Sequence, residues 1–78
     1  MYSMHWAVKR SDIMRKVFEA FERMSSCGKI PPDLIIKCAI EIGDLTHTKS
    51  NKTAAIKAQS TLSFINNEIE YYSRKSKV

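Results

Sequence analysis

Two glycines, two prolines, two cysteines and two histidines in a chain of 78 leave several chemistries without material. Gly28 and Gly43 alone cannot build a glycine-rich phosphate loop. Cys27 and Cys38 are too few and too far apart for a disulfide framework or a Cys-x-x-Cys redox pair, and His5 and His47 do not give them zinc-finger spacing. We therefore expect no metal and no cofactor, only two buried or half-buried thiols. No apolar run approaches the roughly 18–20 residues needed to span a bilayer. The opening "MYSMHWAVKRSD" lacks the apolar core of a signal peptide, so a cytoplasmic, non-membrane protein is expected. Asp44 and His47 stand three apart near a helix end, with no nucleophile or orienting group set to converge on them. The chain reads as non-enzymatic, with no small-molecule substrate.

What is present is enough for one globular domain: 44% hydrophobic residues and 27% charged. The net charge of +5 is uneven. Residues 1–30 carry six basic and three acidic side chains, and residues 49–78 carry six basic ones against Glu68 and Glu70. Between them Lys37 faces Asp33, Glu41 and Asp44. A positive field at both ends of a chain favours anionic partners without naming one.

Periodicity predicts a small all-α domain of three helices, at about 11–26, 32–45 and 51–74. In the first, Ile13, Val17, Ala20 and Met24 form an apolar line widened by Met14, Phe18 and Phe21. Ser11 is the expected N-cap, with Asp12 well placed against the helix dipole. Glu19 lies four residues from both Arg15 and Arg23 and can pair with them. Gly28 is expected at the left-handed position that ends the helix. Pro32 suits the first position of the second helix. In the third, capped by Ser50 or Asn51, the seam Ala55, Ala58, Leu62, Ile65, Ile69 and Tyr72 recurs at heptad spacing. Residues 73–78 read as a frayed basic tail. Tyr2, Met4, Trp6 and Val8 alternate with more polar neighbours, and a helix there would put Arg10 on the apolar face. Residues 1–10 are therefore expected to be an extended or irregular arm.

The second helix, "DLIIKCAIEIGDL", is apolar almost all round, with Lys37, Glu41 and Asp44 in one narrow stripe. A surface helix normally buries only one face, so two neighbouring helices leave a surplus. Ile36, Ala39, Ile40 and Gly43 are the expected oligomer interface, most simply that of a homodimer. On the third helix Lys57, Phe64 and Tyr71 share a ridge seven residues apart, away from the heptad seam. With Lys49 and Lys52 in "THTKSNK", they are the candidate partner or nucleic-acid contacts: free amides and lysines suit phosphate, and aromatic rings suit bases.

An alternating strand, a helix, a glycine turn and a heavily buried second helix over residues 2–45 resemble ribbon–helix–helix DNA-binding dimers. That resemblance implies paired strands in the major groove, with Ser3, His5 and Ala7 towards the bases. The connector "KIPPD" departs from the polar turn such dimers hold near phosphate, since Asp33 there repels one. The leading expectation is a small helical regulator or adaptor that dimerises and meets a protein partner. The alternative is a basic DNA- or RNA-binding regulator.

Overall fold

The computed structural model describes the backbone of residues 2–75 and the side chains of 4–75. Three helices follow one another: α1 (Tyr2–Ser26), α2 (Pro32–His47) and α3 (Asn51–Lys75), with no strand among the described residues.

The expected breaks fall where backbone chemistry put them. Gly28 takes φ +69°, ending α1 in the left-handed region that a side chain disfavours. Pro32 opens α2, where its missing N–H is not needed. Ser50 caps α3, its Oγ accepting the Thr53 N–H at 3.2 Å. Helix α3 continues through Lys75, so the start of the expected tail is helical; residues 76–78 lie outside the described part.

The N-terminal expectation is corrected. Residues 2–10 are not an extended arm but the first turns of α1, so Ser11 is an exposed mid-helix residue rather than a cap. Arg10, the apparent obstacle, belongs to the buried seam. Trp6, Arg10, Ile13, Val17, Ala20 and Met24 follow one 4-3-4-3-4 line. The Arg10 guanidinium leaves the apolar face at its tip and donates to the Leu45 carbonyl at 2.9 Å and to Asn51 Oδ1 at 3.1 Å. A weaker contact reaches the Thr46 carbonyl at 3.5 Å. The long side chain thus buries its stem while its charge meets the C-terminal carbonyls of α2, which lack helical partners. Thr46 and Thr48 serve the Gly43 and Asp44 carbonyls with their own hydroxyls. The helical N-terminus also removes the strand on which the ribbon–helix–helix resemblance depended.

Helices α1 and α3 run in the same direction. Arg10 reaches Asn51 and Arg23 reaches Asn66 (3.0 Å), so rising along one helix means rising along the other. Helix α2, between them in the chain, runs back the other way and packs against both. The pair is staggered: a 25-residue helix is about 37 Å long, whereas the molecule extends 51 × 18 × 15 Å. The first turns of α1 overhang one end and the last turns of α3 the other.

Val17, Ala20, Met24, Cys38, Ile42, Leu45, Ala55, Ala58 and Ile65 form the centre of the core. Ala20, Ala55 and Ala58 let the two long helices approach closely. Of the expected α3 seam, Ala55, Ala58 and Ile65 are buried, while Leu62, Ile69 and Tyr72 pack half-buried against them. Ala54 and Thr61 join the buried side. Phe18 does not belong to the core face of α1: it is exposed, unlike Met14. Glu19 pairs with Arg15 at 3.6 Å but not with Arg23, which Asn66 engages instead.

Candidate interaction surfaces

Helix α2 is buried along Cys38, Ile42 and Leu45. At about 100° per residue, Ile36, Ile40 and Gly43 lie on the opposite side. Ile36 is 58% and Ile40 61% exposed, and Ala39 beside them is exposed as well. A Cβ built on Gly43 has nothing within 4 Å, so no helix of this chain approaches there. The four residues singled out in the sequence therefore lie on one open face. It is bordered by Asp33, Lys37, Glu41 and Asp44, all exposed. Among the described residues the ion pairs lie within α1 and near the end of α3, and none uses a charge of α2.

On α3, Phe64 and Tyr71 are exposed, as is Lys57. They do not stand on an open basic ridge. Phe64 lines a hollow with Lys37, Glu41, Ser60 and Thr61, while Lys57 lines the next one with Glu41 and Asp44. The carboxylates of α2 thus border the Lys57 end of the ridge and oppose a phosphate there. Tyr71 is turned to the far end, edge-on to Tyr72 at 5.0 Å and with Lys75 Nζ 5.9 Å from its ring centroid.

The loop lysines fall at the opposite end. Lys52 Nζ lies 5.8 Å and Lys9 Nζ 5.6 Å from the centroid of the Trp6 ring, with His5 edge-on to the same indole at 5.3 Å. These are cation–π distances. Lys49 precedes the Ser50 cap and is exposed. This grouping was hidden in the sequence because Trp6 and Lys52 are joined only by the parallel packing of α1 and α3. Beside it, Ile56 lines a hollow with Trp6, Lys9, Ile13, Ala55 and Gln59. Met4 and Val8 are exposed on the overhanging turns of α1.

Both cysteines are free. Burial, reinforced by the Glu41 charge, pushes the Cys38 thiol above its ordinary value of 9.0, which disfavours the reactive thiolate. Among the described residues no three His, Cys, Asp or Glu side chains cluster as metal ligands, and no helix is long and apolar enough to cross a membrane. Compared with protein-family models, curated proteins and solved structures, the chain matches none.

Proposed function

We propose that this chain is a non-catalytic helical regulator or adaptor of the cytoplasm that acts through helix-mediated contacts, pairing with a second copy through the outer face of α2. The supporting observation is the open apolar face of Ile36, Ile40 and Gly43, directly opposite the buried side of α2. An isoleucine fully buried is worth roughly 1.5–3 kcal/mol, so four of them in a symmetric pair supply a substantial driving force for association. Ile40→Glu places a carboxylate in that contact, where burial without a partner is strongly unfavourable. Light scattering should show the assembly dissociating while far-ultraviolet circular dichroism keeps its helical signal. A wild-type chain that is monomeric across the micromolar range removes the reading.

A second reading, direct nucleic-acid binding, draws support from the two lysines over Trp6. An indole flanked by cations offers a base a stacking surface and a phosphate a charge. Replacing Lys9, Lys49 and Lys52 together with Gln should then shorten retention on duplex DNA and flatten its salt dependence. Unchanged retention leaves the adaptor alone.

A further inference from the structure

The outer face of α2 carries a pattern that selects one way of pairing. Asp33, Ile36, Ile40, Gly43 and His47 follow 3-4-3-4 spacing along its exposed side. Lys37 and Asp44 lie on one flank of that line, and Ala39 with Thr46 on the other. One flank is charged and the other small.

We infer that two copies pair antiparallel through α2, about a two-fold axis between Ile40 and Gly43. In that arrangement each Ile40 fills the space over the partner's Gly43, and each Lys37 faces the partner's Asp44. The inference rests on the pairing proposed above and adds its direction and register. Two features of the helix favour it over a parallel pair. First, an antiparallel two-fold sets like flanks against each other, so the charged flank meets its own copy in reverse order and gains two opposite-charge contacts. A parallel two-fold sets the charged flank against Ala39 and Thr46, where no countercharge exists. Second, a parallel pair brings Gly43 against the partner's Gly43 and leaves a void, whereas the antiparallel pair gives each glycine an isoleucine to receive. Lys37 and Asp44 are exposed and make no ion pair within the described chain, so both are available.

The test uses two charge reversals on exposed positions, Lys37→Glu and Asp44→Lys, in the full-length chain. Each alone places like charges at both contacts and should weaken self-association roughly tenfold, about 1.4 kcal/mol. The double variant Lys37→Glu/Asp44→Lys restores both contacts and should recover wild-type association. Mixed in equal amounts, the two single variants should form a mixed pair in excess of the statistical half, resolved by ion exchange because the chains differ in charge. Circular dichroism checks that each variant is folded. If the wild type pairs but neither reversal weakens it, or the double variant is worse than both, the antiparallel register is overturned while pairing through α2 stands. A wild type that does not pair overturns both.

Discussion

Arg10 and Leu45 are joined across 35 residues of sequence by a 2.9 Å hydrogen bond from guanidinium to backbone carbonyl. The same side chain holds Asn51 at 3.1 Å, so one residue of α1 ties together the end of α2 and the start of α3. The turn between those helices is held from outside as much as by its own Ser50 cap.

Removing that tie should be felt by the whole fold. A hydrogen bond from a charged donor contributes about 1.5–3 kcal/mol, and Arg10→Met keeps the stem while leaving the Leu45 carbonyl without its charged donor. A loss of about 2 kcal/mol is expected in chemical denaturation. Arg10→Lys should recover only part of it, since a lysine is a point charge and cannot reach carbonyl and amide as a fork.

The two faces of α3 should separate under truncation. Ile65 is fully buried and Ile65→Ala should cost about 2–5 kcal/mol. Leu62, half-buried, should cost less. Phe64 keeps 39% of its surface in solvent, so Phe64→Ala should cost clearly less than Ile65→Ala. Equal destabilisation by Ile65→Ala and Phe64→Ala would contradict the packing described.

Gly43→Ala has opposite expected effects on the chain and on the pair. With nothing within 4 Å of the new methyl, the isolated chain should gain about 1 kcal/mol of helix propensity. In the pairing proposed above, the methyl occupies the space assigned to Ile40 of the partner subunit and should weaken self-association of concentrated samples. Unfolding of dilute samples and sedimentation of concentrated ones measure the two effects separately.

Asp12 sets an acid limit to one local contribution. Hydrogen bonds from Arg15 first and Lys16 second hold its carboxyl below the ordinary value of 3.8. Since the folded value is the lower one, the stabilisation is present above the ordinary value and is lost as pH falls through the folded one. The side chain is exposed, so the effect is screened and should be small. An NMR titration should place the Asp12 midpoint below that of a peptide carboxylate, and Arg15→Gln should raise it.

The limits of the sequence show most clearly at Arg10. Gly28, Pro32 and Ser50 act within four residues of themselves, so the boundaries they set were legible without any tertiary information. The seam of α3 was legible too, because its repeat persists over three heptads. Residues 2–10 were not: the alternation of Tyr2, Met4, Trp6 and Val8 mimics a strand, and a charge in an apolar line argues against a helix. The partners that resolve the conflict are carbonyls and an amide 35 to 41 residues away. Exposure of Ile36 and Ile40 could be inferred from an excess of apolar residues over available neighbours. The Trp6–Lys52 contact could not, because it depends on the parallel course of α1 and α3.

That parallel course also bears on how the chain is made. The main packing partner of the first helix is the last one, so the core cannot close until α3 has left the ribosome. During synthesis, which runs from the N-terminus at about 5–20 residues per second, α1 and α2 emerge with Ile13, Val17, Met24 and Cys38 still uncovered. Closure of the core therefore waits for α3, since α2 alone covers little of the α1 seam. Until α3 arrives, the apolar seams of α1 and α2 are open to chaperones rather than to their final partner.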